Sequence, residues 1–198
     1  MGKIKKFSNF INTSLVSDDW FNAIETKDII QIKQMIDDDF DVNTKDENND
    51  TALHILCYND EEDNDSFLEN DNITIIKLLL ENGANVNLIG SDDFSVLGLI
   101  SSVDNPLTTQ VIQLLLDFGA NINIQREMAT SLVISAYYRI MRNVYILIDN
   151  GADWFVIDDE NKLFIDHLSD SEKGMIKKKY PEKYEEYIKK KNIRKFKI

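Results

Sequence analysis

Cysteine, proline, histidine and tryptophan are all scarce: the 198 residues hold one cysteine, two prolines, two histidines and two tryptophans, with seven glycines. A single thiol, Cys57, rules out an internal disulfide and fits a reducing compartment. Two histidines, His54 and His167, leave little for a zinc site or for acid–base chemistry. No apolar run approaches the ~20 residues of a membrane span, and the basic start Met1–Lys6 is not followed by an apolar signal-peptide core. Gly2 opens a myristoylation pattern, but Lys6 stands where that motif carries Ser or Thr. Phosphate-binding, dinucleotide-binding, H-E-x-x-H and G-x-S-x-G motifs are all missing, so no cofactor, metal or catalytic residue is expected.

Charge is unevenly spread. The formal net charge is -13, yet residues 17–172 carry 32 acidic and 8 basic side chains, whereas residues 173–198 carry 11 basic and 3 acidic ones. Binding a polyanion depends on releasing counterions with Lys and Arg, so the acidic body is not expected to bind nucleic acid; a basic protein partner is favoured instead. The run Asp60–Asp65 is acidic enough to suggest a calcium loop, but it has no glycine and no alternation of ligands, and it reads as a solvated loop. Attachment of the C-terminal lysines to a membrane surface or to nucleic acid is opposed by the acidic body beside them.

A helix exit is written repeatedly. Lys77–Asn87 reads KLLLENGANVN, Gln113–Asn123 reads QLLLDFGANIN, Tyr145–Phe155 reads YILIDNGADWF, and Lys33–Asn43 is a degraded copy, KQMIDDDFDVN, with Asp39 in the glycine position. Glycine closes a helix because without a Cβ it enters the left-handed region at little cost. From Gly83 to Gly119 is 36 residues and from Gly119 to Gly151 is 32. Four such exits in one chain mean internal repetition.

With Thr51-Ala52-Leu53-His54 opening the preceding helix, Ile75 to Asn87 closing the next, and a period near ~33, the chain resembles the ankyrin-repeat family. The resemblance implies an all-α solenoid of four to five helix-turn-helix repeats with short β-turn fingers, here followed by a C-terminal helical cap. The expected division is a basic segment at 1–16, repeats at 17–43, 44–87, 88–123, 124–155 and a partial one at 156–168, and a cap with a basic tail at 169–198. Ser17-Asp18-Asp19 reads as a helix N-cap, and Pro106 as a first-turn residue of a helix. Asp39 to Gly83 spans 44 residues; the excess of about eleven over the family period falls between Cys57 and Ile73, as an acidic loop holding Phe67-Leu68. In the cap, Tyr184, Tyr187 and Ile188 share a helical face.

Members of the family bind proteins without catalysis, through finger tips and inner helices. At those positions stand Lys45, Glu47 and Asp50; Ile89, Ser91, Asp92 and Phe94; Gln125, Arg126 and Met128; and Asp158, Asp159 and Glu160 in the fingers. The inner-helix positions are Tyr58, Asn59, Ser102, Val103, Tyr137 and Tyr138, with Phe155 in addition, where two other repeats have asparagine. Tyrosines among carboxylates suit a basic protein partner. The implied roles are masking of a basic partner, of the antitoxin or immunity type or as an effector, or bridging of two proteins as an adaptor. The expected protein is a monomer when free, located in the cytoplasm or, for a secreted effector, in the host cytosol. His54 and Cys57 at i, i+3 allow a thiol–base pair to be drawn. The resemblance instead implies that Cys57 is a small buried residue, that His54 bonds within the turn network, and that Trp154 is core.

Overall fold

The computed structural model describes residues 13–58, 68–125 and 129–195. These residues form ten α-helices and two short 3-10 segments: α1 Thr13–Glu25, α2 Ile29–Asp37, α3 Ala52–Cys57, α4 Asn70–Glu81, α5 Val96–Ser101, α6 Thr108–Asp117, α7 Ser131–Tyr137, α8 Met141–Asp149, α9 Asp170–Lys179 and α10 Pro181–Lys195, with 3-10 turns at Ser91–Asp93 and Phe164–His167. They divide into two compact units, residues 1–96 and 97–198.

In the first unit α1 packs on α2 and α3, and α3 on α4. The apolar spacing of each helix turns one stripe inward: Trp20, Ala23 and Ile24 from α1, Ile32 from α2, Leu53 and Leu56 from α3, and Ile75, Ile76 and Leu79 from α4. Each large side chain buried in this way contributes about 1.5–3 kcal/mol. Trp20 also lies against Phe40, ring centroids 4.8 Å apart. In the second unit α7 packs on α8 and on the second 3-10 turn, α6 packs on α8, and α9 on α10. Its core includes Ile100, Ile112, Leu115, Leu132, Leu147, Trp154 and Phe164.

The helix exit has one geometry in four repeats. Asp39, Gly83, Gly119 and Gly151 have φ of 64°, 86°, 84° and 89°. The next N–H in each case returns to a carbonyl five residues back: Phe40 to Met35, Ala84 to Leu79, Ala120 to Leu115 and Ala152 to Leu147, at 2.9–3.0 Å. These bonds satisfy carbonyls that the helix end would leave bare. After the exit the chain turns on a side chain two residues back, Asp41, Asn85, Asn121 or Asp153, each accepting from the backbone N–H of residue 43, 87, 123 or 155. Three fingers follow, closed by isolated antiparallel bridges at Lys45–Thr51, Ile89–Ser95 and Ile157–Leu163. The architecture is the all-α ankyrin-repeat one.

Several expectations need correction. Ser17-Asp18-Asp19 does not cap α1, which already begins at Thr13. Pro106 precedes α6 rather than opening it; Asn105 makes the turn there, its side chain accepting from the Leu107 N–H at 2.8 Å. On α10 Tyr187 is buried but Ile188 is 40% exposed, so the buried stripe does not include it. Leu68 is buried, while Phe67 and the acidic run Asp60–Asp65 lie outside the described residues. No described helix is long and apolar enough to cross a membrane.

Candidate functional site

Two expected contact residues are buried. Val103 is 3% exposed, and its carbonyl accepts from the Thr108 hydroxyl at 3.1 Å and from the amide of the buried Asn143 at 3.2 Å. Asp158 is 8% exposed; it accepts from the Lys162 N–H at 2.8 Å and lies 2.6 Å from His167 Nε2. Burial alone would push the Asp158 carboxyl up, but the Lys162 N–H and His167 hold it below the usual carboxylate range. Neither residue offers its side chain to a partner.

Others are engaged inside the fold. Lys45 Nζ donates to the Ile89 carbonyl at 2.8 Å and to Asn49 Oδ1 at 2.9 Å. The Asp50 carboxylate accepts from the Ser91 N–H at 2.8 Å and from the Ser91 hydroxyl at 2.6 Å. Lys45, Asp50, Ile89 and Ser91 therefore stitch one finger to the next. Ser102 bonds the Leu99 carbonyl, and Gln125 the Ile157 carbonyl. Phe155 is half-buried, with Lys190 Nζ 3.5 Å from its ring centroid. Phe94 is half-buried; Glu47, Asp159 and Glu160 are exposed, Glu160 paired with Lys162. Asp92 lies in the first 3-10 turn. Asn59, Arg126 and Met128 lie outside the described residues.

Three tyrosines project. Tyr58 ends α3 as its C-terminal cap and is 53% exposed. Tyr137 and Tyr138 end α7, at the corresponding place in their repeat, and are 61% and 52% exposed. The rings of Tyr137 and Tyr138 meet edge to face, centroids 5.3 Å apart.

His54 and Cys57 do not form a catalytic pair. His54 is buried, its Nδ1 2.8 Å from the Thr51 hydroxyl and 3.3 Å from the Thr51 N–H, as a cap of α3. Burial lowers its pKa, Asp50 opposing the shift. Cys57 is completely buried, and desolvation pushes its thiol up to about 12. A thiol that stays protonated at neutral pH and has no access to solvent is a poor nucleophile. Among the described residues no three His, Cys, Asp or Glu side chains group to hold a metal ion.

The chain sequence offered no sign of the Asp158–His167 pair, which forms across the last finger between residues nine apart. It did carry one overlooked signal. Asn43 donates to the Gly83 carbonyl and accepts from the Asn85 N–H at 2.7 Å, and Asn123 accepts from the Asp153 N–H at 2.8 Å. The closing asparagine of D-V-N and N-I-N thus ties one repeat to the next, and Phe155 cannot repeat that bond.

A family model for the ankyrin repeat matches residues 48–91. Residues 48–91 are thus an ankyrin repeat, and helix exits of the same geometry recur on either side of that match. A search of curated proteins returns no match. Ankyrin repeats in general mediate protein–protein interaction.

Proposed function

We propose that this chain is a non-catalytic module that binds one basic partner protein through finger tips and the exposed ends of its first helices, masking that partner as an immunity protein or an effector does. The supporting observation is the set of exposed tyrosines, Tyr58, Tyr137 and Tyr138, at the C-terminal ends of the first helices of two repeats, in a chain of net charge -13. Tyrosine, with an apolar body and a polar hydroxyl, is enriched at interfaces, and aromatic anchors among carboxylates make strong binding hot spots. Glu47, Asp159 and Glu160 remain available from the original contact set, with Phe94 partly so.

Affinity capture with the full chain, run at low and at high salt, tests the reading. A basic protein that is retained at low salt, released at high salt and lost from a Tyr58→Ala, Tyr137→Ala, Tyr138→Ala variant is the expected result. Recovery of only neutral or acidic proteins, indifferent to salt, would overturn it. An adaptor role is the second reading, supported by the long insertion between α3 and α4. Deleting residues 59–70 removes one of two partners if the chain is an adaptor, and leaves the main partner in place if it is a mask.

A further inference from the structure

The C-terminal unit repeatedly builds one small device, an ammonium group on an aromatic face with a carboxylate beside it. Lys179 Nζ lies 4.5 Å from the Tyr145 centroid and 4.9 Å from that of Tyr180, and 2.8 Å from Asp149 Oδ2. Lys191 Nζ lies 5.2 Å from the Tyr187 centroid and 2.5 Å from Asp166 Oδ1. Lys190 Nζ lies 3.5 Å over Phe155 and 2.8 Å from Glu186 Oε1. Lys183 approaches Trp154 at 5.8 Å. Such contacts occur about once per 70–80 residues in ordinary proteins, so four lysines used in this way between residues 179 and 191 exceed the background.

Tyr137 and Tyr138 have the same ingredients except the cation. Their planes meet at 80°, which makes a corner with two ring walls. Tyr137 is backed by the His167 ring, centroids 5.7 Å apart at 71°. His167 is fixed in turn by Asp158, with both side chains at most 8% exposed. The corner is therefore held before anything binds, which lowers the ordering cost of association. Exposed carboxylates of the last finger, Asp159 and Glu160, follow Asp158 directly in the chain. Among the described residues no cation lies over either ring. Arg139, next in sequence, lies in the field of Glu172.

We propose that the Tyr137–Tyr138 corner seats a lysine or arginine side chain of the partner protein, as the vacant instance of a contact that the chain fills for itself at Tyr145, Phe155 and Tyr187. This inference rests on the protein-binding reading given above and names the chemistry of its anchor. The Asp158–His167 pair acts as a positioning element that holds the corner open. The occupant is cationic rather than merely apolar, because Tyr145 on α8 and Phe155 are each covered by an ammonium group reaching over from α9 or α10.

The test uses the full chain with tyrosine-ring isotope labels, titrated with acetylated hexalysine, with hexaglutamate and with a neutral serine–leucine hexapeptide. Hexalysine is expected to shift the Tyr137 and Tyr138 ring resonances saturably, less so as salt rises, and the other two peptides are expected to leave them in place. The Tyr137→Leu, Tyr138→Leu variant, which keeps apolar area but loses the ring face, should bind hexalysine about fivefold or more weakly, whereas Tyr137→Phe, Tyr138→Phe should bind as the parent does. Both rings are more than half exposed, so folding is expected to survive; unchanged Trp154 fluorescence checks this, and Phe118→Leu serves as a surface control. Hexalysine binding that is equal in the parent and the leucine variant overturns the anchor while leaving a basic partner possible elsewhere on the chain. Ring shifts with the neutral peptide in place of hexalysine overturn the cationic occupant, and no binding of hexalysine at all overturns both the anchor and the basic-partner reading.

Discussion

Gly90→Ala separates two reasons for a glycine in this fold. Gly90 has φ -95° and ψ -154°, a backbone that any residue adopts, but a Cβ there would lie 2.1 Å from Asp50 Oδ1, 2.5 Å from His54 Cδ2 and 2.9 Å from His54 Nε2. None of those atoms is a loose end. Asp50 holds Ser91 through two hydrogen bonds, and the His54 ring is held by Thr51. Relief requires both that the carboxylate rotate off the Ser91 N–H, which costs about 1.5–3 kcal/mol for a bond to a charged acceptor, and that the His54 ring or the fingers give way, with overpacking of about 1–3 kcal/mol. Together these cost about 2.5–6 kcal/mol, offset by no more than about 1 kcal/mol from the stiffer unfolded chain.

Gly83→Ala is the internal control. Nothing lies within 4 Å of its Cβ position, and only its φ of +86° is unfavourable, so the expected cost is about 1–2 kcal/mol. Trp20 and Trp154 are the two tryptophans, one in each unit and both buried. In a Trp154→Phe background, Trp20 fluorescence during urea unfolding reports the first unit, and the midpoint is expected to fall well below that of Gly83→Ala. A Gly90→Ala midpoint equal to or above that of Gly83→Ala would refute the close-packing account of this glycine.

Asp39 occupies the left-handed helix-exit position that glycine holds in three other repeats; Asp39→Gly should raise the urea midpoint slightly, by less than about 1 kcal/mol, because strain relief outweighs the extra freedom of the unfolded chain. His54 has its pKa lowered by burial, so its contribution to stability is fully present above the unfolded value of about 6.5 and is lost as pH falls toward the lower folded value. Unfolding midpoints measured between neutral and mildly acidic pH should accordingly fall more steeply in the parent than in His54→Gln. Asp149, with its pKa lowered first by the Lys179 hydrogen bond, contributes in the same sense at lower pH, from about 3.9 downward. Cys57 should resist a thiol reagent until the chain unfolds, and fast labelling of the native protein would contradict its burial.

The fold was legible because its grammar is local. An apolar stripe, a left-handed exit and an Asx turn follow one another within eleven residues, and the same order at Lys77, Gln113 and Tyr145 survives every other change. Where the backbone needs φ > 0 but the residue is not glycine, the signal fails: Lys27 and Arg139, with φ of 56° and 59°, take that conformation between paired helices and look like ordinary surface residues in the sequence. The candidate contacts were less legible, since position in a repeat says which way a side chain starts but not where it ends. Asp50 and Ser91 point to one another, Val103 turns into the core, and Phe155 is covered by a lysine from a helix thirty-five residues further on. Tyr137 and Tyr138, by contrast, stay exposed at the end of α7.

The acidic charge and the Tyr137–Tyr138 corner fall in different units, and that makes them separable in time. Residues 1–96 carry a net charge of -14 and residues 97–198 a net charge of +1, because the lysines of α9 and α10 balance the acids of the last repeats. Long-range attraction of a cationic partner therefore comes from the first unit, and the fixed tyrosine corner belongs to the second. Exposed acids steer encounter and act on the association rate, whereas desolvated anchors act on dissociation. Neutralising Glu25, Asp37 and Glu47, all exposed, should slow association with a basic partner and flatten its salt dependence with dissociation nearly unchanged. Tyr137→Leu, Tyr138→Leu should do the reverse, speeding dissociation while association keeps its salt dependence. Rapid-mixing kinetics with the captured partner measure both, and a charge-neutralised variant that dissociates faster but associates at the parent rate would show that the acids make contact instead of steering.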